Sequence, residues 1–246
     1  MPVSTAVRSE LAPTGKLRAG LNYSNFLLVG KDPVSGIPHG VAVDLAHELG
    51  RRLGAPVEFV GYDAPGKMAE AAQAGAWGIA FLAAEPARAA EIAFTTAYLE
   101  IDATYLVPSG SALHSPADVD RDGVRISVSN KSAYELFLTR TLQRAQLLRV
   151  DGVEASFQQF IADKLEALAG LRPRLIMDAQ RLPGSRVLEG RFTAIQQAIG
   201  TPNGREAGAR YLREFVEDVK ASGLVAKAIE RHGVHGVSVA PKAPIQ

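Results

Sequence analysis

The chain has 246 residues, of which 47% are hydrophobic and 22% are charged, and its formal net charge is +1 at pH 7. This composition is typical of a globular protein with one large domain or two lobes of about 100 residues each. The near-neutral charge argues against binding to nucleic acid or to a membrane surface. The lack of cysteine excludes disulfides, thiol nucleophiles and thiolate metal sites.

The first part of the chain alternates between strand and helix patterns. Strands are predicted at 16–23, 55–62 and 77–83, and helices at 44–53 and 66–76. This order indicates an α/β layer with right-handed crossovers. Trp77 begins the third strand and is expected in the core.

Local signals define the ends of the first of these helices. Asp44 is a suitable cap at its start, and Gly54 is a suitable left-handed residue at its end. Leu45, Leu49 and Leu53 fall on one face, which is predicted to be buried.

The pattern restarts near residue 120 and predicts a second α/β lobe. Strands are expected at 124–129 and 146–150, and helices at 132–145 and 153–164. Ser132 with Glu135 three residues later has the form of a capping box. A long amphipathic helix is predicted at 205–221.

Several segments, taken in this order, resemble a known family: "GVAVDLAHELG", "AGAWGIAFLAAEPARAAEIAFTTAYL", "ISVSNKSAYELFL" and "YLREFVEDVKASGLVAKAIERHG". The chain is similar to the family 3 extracellular solute-binding proteins over about residues 15–235. These are receptors of ABC importers for polar amino acids, and they have the α/β type II periplasmic-binding fold.

The resemblance implies two lobes joined by two hinge crossings, near 105–110 and 188–192, with the ligand in a cleft between the lobes. The first lobe would be 1–110 plus 192–246, and the second would be 111–191. It also implies a monomer with no cofactor, a small-molecule carboxylate or amino-acid-like ligand, and an ABC permease as partner. The family is periplasmic, but the chain shows no signal peptide, so a cytoplasmic location stays open.

Arg88 is the central candidate of the binding site. In the family, an arginine six residues before a Phe-Ser/Thr pair binds the carboxylate of the ligand, and Arg88 precedes Phe94 and Thr95 by that spacing. The planar fork of a guanidinium suits a carboxylate because it donates two parallel hydrogen bonds. The alternative is a surface arginine on a short helix begun by Pro86, where Glu85 would be a helix-start charge.

The resemblance implies further ligand contacts in both lobes. In the first lobe they lie at two strand ends, at Asn22, Tyr23, Phe26, Phe81, Leu82 and Ala83. In the second lobe they lie at a helix start, at Ser132, Ala133 and Tyr134. Tyr134 could equally be a packing residue, and Ser132 could be a plain helix cap.

The chain departs from the family pattern at two acidic positions. Leu171 stands where an aspartate pairs with the ammonium group of the ligand, and Asn22 stands where an acidic residue is common. We therefore expect a ligand that lacks an α-ammonium group. The neighbouring Arg172 either faces the cleft as a second cation or is a solvated loop residue.

Two other functions remain as alternatives. A few proteins of this fold resemble binding proteins that became lyases, and a cyclohexadienyl-dehydratase-like activity would need a cleft acid such as Glu85 or Glu166. A cytoplasmic ligand sensor would fit a chain without a signal peptide. Neither glutamate has a visible acid partner in the sequence, so no catalytic residue is assigned and no enzyme is expected.

Overall fold

The computed structural model describes residues 3–243 and divides into two compact units, Met1–Glu100 with Gln196–Gln246 and Ile101–Ile195. The helices are α1 (Thr5–Leu11), α2 (Val41–Leu53), α3 (Pro65–Glu70), α4 (Ala133–Thr141), α5 (Val153–Ala162), α6 (Arg172–Arg181), α7 (Glu206–Ala221) and α8 (Leu224–Arg231). The strands are β1 (Leu17–Asn22), β2 (Gly30–Lys31), β3 (Pro38–His39), β4 (Val57–Tyr62), β5 (Ile79–Ala83), β6 (Ile92–Phe94), β7 (Leu99–Val107), β8 (Arg125–Ser129), β9 (Gln146–Val150), β10 (Ala167–Leu171), β11 (Arg186–Val187), β12 (Thr193–Pro202) and β13 (Val237–Val239).

The chain passes between the two units within β7 and within β12. Gly110 and Gly190 belong to the predicted crossing segments, but both lie inside the second unit. The lobe boundaries and hinge crossings implied by the resemblance stay predictions.

In the first unit, the sheet has the order β4-β1-β5-β12. Strand β1 is parallel to both β4 and β5, with Leu21 beside Phe81, and β12 is antiparallel to β5. Because β1 and β5 are parallel neighbours, the loops that follow them leave the same edge of the sheet. That edge is where ligands bind in open α/β sheets.

Helix α2 begins three residues earlier than predicted. Its N-cap is Gly40, which has a φ of 124°. A Cβ on this residue would overlap the carbonyl oxygen of Leu28, so the position requires glycine. The cap predicted at Asp44 is therefore wrong. The Asp44 carboxylate instead lies 3.0 Å from Arg231 and 3.0 Å from His232, and so fixes the end of α8 to α2.

Trp77 lies in the core of the first unit, as predicted. Its side chain is 1% exposed, and its indole N–H donates to the carbonyl of Met68 over 3.0 Å. Met68, Leu82 and Ile92 belong to the same buried cluster. The helix predicted at 66–76 is shorter than expected, because α3 ends at Glu70 and a turn leads to β5.

In the second unit, the sheet has the order β7-β10-β8-β9. Strand β8 is parallel to β9 and β10, and β10 is antiparallel to β7. Its core is a cluster of buried apolar side chains: Leu106, Phe157, Phe160, Leu165, Leu168 and Leu175. The predicted strand at 146–150 is confirmed as β9, and the predicted helix at 132–145 ends early, at Thr141.

A buried carboxylate joins two helices of the second unit. Asp178 in α6 is 1% exposed and accepts hydrogen bonds from Arg174 at 2.9 Å and Arg181 at 3.2 Å. Both arginines also bind Glu154 of α5, each at 2.6 Å. The two guanidinium groups therefore neutralise Asp178 and hold α6 against α5.

Glu48 in α2 provides a test of electrostatic stabilisation in the first unit. A side-chain hydrogen bond from Arg51, with another from Arg52, lowers the pKa of Glu48 from 4.5 to about 2. A depressed carboxyl pKa stabilises the fold above the unfolded pKa, and this contribution is lost as pH falls from 4.5 toward 2. We expect Glu48→Gln to be less stable than the wild type at pH 6, with the difference shrinking at acid pH in urea unfolding. A difference that does not change with pH would contradict this role.

Candidate functional site

The loop after β1 is fixed by a local side-chain turn. The Oδ1 of Asn22 accepts hydrogen bonds from the backbone N–H of Ser24 at 3.1 Å and from its hydroxyl at 2.6 Å. The backbone N–H of Tyr23 donates to Tyr62 and extends the pairing of β1 with β4. Asn22 thus shapes the turn as an Asx residue does, and its amide oxygen is occupied by Ser24.

Two aromatic rings of this loop differ in exposure. Tyr23 is half-buried against Gly61, where a Cβ would overlap its ring, and Lys31 lies 4.1 Å from the ring centroid. Phe26 is 43% exposed. Its role as a ligand contact stays a prediction.

Two buried polar atoms of the first unit lack a hydrogen-bond partner within residues 3–243. They are the Oδ1 of Asn25 and the hydroxyl of Tyr98. The Tyr98 ring packs edge-on against Phe81 with 6.0 Å between the ring centroids, and burial raises the pKa of Tyr98. Unsatisfied buried groups are rare, and each carries a desolvation cost of about 1–3 kcal/mol.

Arg88 lies just beyond the carboxyl end of β5 and is only 6% exposed. Its guanidinium donates to the carbonyl oxygen of Ala83 over 2.8 Å. Burial lowers its pKa to about 10, while the charge of Glu85 acts in the opposite direction. The interpretation of Arg88 as a surface residue is therefore wrong, whereas its binding of a ligand carboxylate stays a prediction.

The segment that carries Arg88 is a turn and not a helix. Residues 86–91 form consecutive turns, with the backbone N–H of Arg88 bonded to the carbonyl of Glu85. Glu85 is itself buried. The interpretation of Glu85 as a helix-start charge is wrong, and its carboxylate is instead a buried neighbour of the cation.

The three residues before this segment form the end of β5. Phe81, Leu82 and Ala83 are all buried, and they pair with Ile199, Ala198 and Gln197 of β12. Their backbone groups are engaged in the sheet, so their roles as ligand contacts stay predictions.

In the second unit, Ser132 is the N-cap of α4, as predicted. Its hydroxyl accepts from the backbone N–H of Glu135 over 3.2 Å. Lys131 before it has a φ of 55°, an uncommon conformation for a residue with a Cβ. Ala133 and Tyr134 are buried, and Ser132 and Ser129 are neighbours of the Tyr134 hydroxyl.

Only half of the predicted capping box is formed. The Glu135 side chain does not return to the helix start but binds Arg149 at 2.7 Å and Thr139 at 2.7 Å. A charged arginine is a stronger partner for a buried carboxylate than a neutral N–H. Ser129 is a neighbour of Tyr134 that the sequence analysis did not single out. Its position at the end of β8, three residues before the cap, is the signal that could have identified it.

Arg172 is neither a solvated residue nor part of a loop. It is the first residue of α6, and its guanidinium donates to the carbonyl of Leu188 over 3.3 Å and to that of Gly190. Asp102 lies 3.8 Å away. The side chain is thus engaged within the second unit, and its contact with a ligand stays a prediction.

Leu171 occupies the N-cap position of α6 and provides no side-chain hydrogen bond. An aspartate at this position would combine a helix cap with a negative charge. Leucine provides neither, so this helix start carries no acidic group at its cap.

Two other kinds of feature are absent from the part of the chain that the structure describes. No group of three or more histidine, aspartate or glutamate side chains within residues 3–243 could hold a metal ion. Among the same residues, no helix has both the length and the apolar character needed to cross a membrane.

The family model described as bacterial extracellular solute-binding proteins, family 3, matches residues 27–235. Because this match covers most of the sequence, the chain belongs to that family. The predicted resemblance is confirmed. A comparison of the sequence with curated proteins gave no match.

Solved structures with the same fold cover nearly the whole chain. The solute receptor for L-cysteine of Neisseria gonorrhoeae has a TM-score of 0.76 and 21% identity, over 95% of this chain and 96% of that one. The ancestral amino acid-binding protein AncCDT-1, a precursor of cyclohexadienyl dehydratase, has a TM-score of 0.74 and 22% identity, over 93% and 99%. The amino acid ABC transporter substrate-binding protein AbpA of Streptococcus pneumoniae, bound to L-arginine, has a TM-score of 0.74 and 17% identity, over 90% and 95%. The predicted two-lobed type II periplasmic-binding fold is therefore confirmed.

Proposed function

We propose that this solute-binding protein captures a small carboxylate through Arg88 and delivers it to an ABC permease from the periplasm. The buried guanidinium at the carboxyl end of β5 is the observation that supports this most directly. Family membership supports the capture of a solute, and the amino acids bound by similar proteins support a ligand of that size.

The environment of Arg88 favours an anionic ligand. With a pKa of about 10, the guanidinium stays protonated at neutral pH. A charge-assisted hydrogen bond stabilises a buried cation, which has lost most of its hydration, more than it stabilises a cation in water. One of its N–H groups holds the carbonyl of Ala83, which orients the fork at the edge of the sheet.

The proposed ligand lacks an α-ammonium group. Leu171 provides no charge at the start of α6, and the amide oxygen of Asn22 is already bound by Ser24. A buried ammonium without a carboxylate partner loses about 2 kcal/mol or more of binding free energy. Keto acids, aromatic acids and dicarboxylic acids avoid this cost.

A thermal-shift screen tests this choice of ligand. A ligand that binds only the folded state raises the melting temperature, because it adds RT ln(1 + [L]/Kd) to the stability. We expect the larger shifts from carboxylates without an ammonium group, when each α-amino acid is compared with its 2-keto acid at the same concentration. A strong shift from a polar amino acid, with none from its keto acid, would contradict the proposal.

A lyase remains the second candidate, because Glu85 is a buried carboxylate close to the cation at Arg88. The other glutamate considered, Glu166, is less suited to act as an acid. It accepts two hydrogen bonds from the guanidinium of Arg125 at 2.9 Å, and these lower its pKa. Nuclear magnetic resonance of a bound cyclic carboxylate after long incubation separates the two functions, since a binding protein returns it unchanged.

A further inference from the structure

The first unit has a recess of about 600 Å³ beside the start of α7. Its lining comprises Ala93, Asn203, Gly204, Arg205, Glu206, Ala209, Arg210 and Arg213. The volume falls within the range of about 300–1,000 Å³ that is typical of small-molecule sites.

Three arginines give this recess its positive charge. Arg210 and Arg213 are exposed, one helical turn apart on α7, and neither has a hydrogen bond or ion pair from its side chain to any residue within 3–243. Arg205 is half-buried and donates to the carbonyl of Gly78 over 3.2 Å. Glu206 is the one carboxylate among the lining residues that the structure describes.

This arrangement is unfavourable without a counter-ion. Two like charges three residues apart destabilise a helix by about 0.2–0.5 kcal/mol. The Glu10 carboxylate accepts from the backbone N–H of Gly208 over 2.7 Å and attracts Arg205 from beyond ion-pair distance. It therefore serves the helix start and does not pair with Arg210 or Arg213.

Several other exposed arginines among the described residues are paired with carboxylates. Arg51, Arg181 and Arg231, for example, each lie within 3.0 Å of a carboxylate oxygen. Arg210 and Arg213 have no such ion pair within residues 3–243. Charged groups that do not stabilise the fold are often found at functional sites.

We propose that this recess binds a multivalent oxyanion, with the guanidinium forks of Arg210 and Arg213 as its main ligands and Arg205 at its inner wall. Tetrahedral phosphate groups match this set, because each guanidinium offers two parallel N–H donors to adjacent oxygens. Arg88 is not among the residues that line the recess, although the side chain of Asn203 donates to the carbonyls of Ala89 and Ala90 in the turn that carries Arg88.

Isothermal titration with inorganic pyrophosphate, at constant ionic strength in chloride, tests the proposal. We expect saturable binding with one site per chain, and Arg210→Ala and Arg213→Ala should each weaken it by about tenfold or more. Arg213→Lys keeps the charge but loses the fork, and should also weaken binding. Arg144→Ala removes an exposed arginine of the second unit and is the matched control, which should bind as the wild type does.

Circular dichroism of each variant checks that it is folded before titration. Non-saturable binding, or equal weakening by Arg144→Ala and Arg210→Ala, would show only general attraction to surface charge and would overturn the proposal. Unchanged affinity in the double variant of Arg210 and Arg213 would also overturn it.

Discussion

Arg88→Ala is expected to weaken carboxylate binding strongly and to lower the stability of the first unit. The loss of a buried charged partner costs about 2–5 kcal/mol of binding free energy, or a weakening of roughly 30- to several-thousand-fold. Because the guanidinium also holds the carbonyl of Ala83 at 2.8 Å, its removal should cost about 1–3 kcal/mol of unfolding free energy. Calorimetry with the carboxylate that gives the largest thermal shift measures the first effect, and urea unfolding measures the second.

Arg88→Lys separates the two roles of this side chain. Lysine keeps the positive charge, but it lacks the planar fork, so it can serve either the Ala83 carbonyl or the ligand with poorer geometry. We expect the stability to be partly recovered while carboxylate affinity stays well below that of the wild type. Equal affinity in the wild type, Arg88→Lys and Arg88→Ala would show that Arg88 is a structural residue only.

Asp178→Ala is expected to give the largest stability loss in the second unit, about 3 kcal/mol. Removal of this carboxylate, which is 1% exposed, leaves the half-buried guanidinium of Arg174 without its closest partner on α6. The remaining ion pairs with Glu154 limit the loss. Urea unfolding followed by far-ultraviolet circular dichroism measures the change.

Two companion variants make the Asp178 result interpretable. Asp178→Asn keeps the shape of the side chain and removes the charge, so its loss should fall between those of the wild type and Asp178→Ala. Asp122→Ala removes an exposed aspartate of the same unit and should change the stability by less than about 0.5 kcal/mol. A loss for Asp178→Ala no larger than that for Asp122→Ala would refute a stabilising role for the buried network.

The elements of the fold were predictable where local pattern and packing agree. The strand at 146–150 was predicted to the residue, and Leu45, Leu49 and Leu53 are buried as the helical spacing indicates. The helix start at Val41 was missed because its cap is Gly40, which has no side chain to signal a cap. The close contact of Gly40 with the backbone of Leu28, twelve residues earlier in the chain, determines where the helix begins.

The candidate site was less predictable, because burial and partner choice depend on the tertiary fold. From the sequence, Arg88 could be a surface or a buried residue, and only the turn after β5 decides between them. Glu135 has the spacing of a capping box, but Arg149, fourteen residues later, takes its carboxylate. The environment of Arg172 was also open in the sequence, because its partners, the carbonyls of Leu188 and Gly190, are distant along the chain.

The position of Trp77 makes the two units optically distinguishable. It is the sole tryptophan of the sequence, and it is buried in the core of the first unit with its N–H bonded to Met68. Emission excited at the red edge of protein absorption therefore comes from the first unit alone, whereas circular dichroism reports helices in both. Comparison of the two signals during one denaturation shows whether the units melt together or in sequence, without any label or engineered probe.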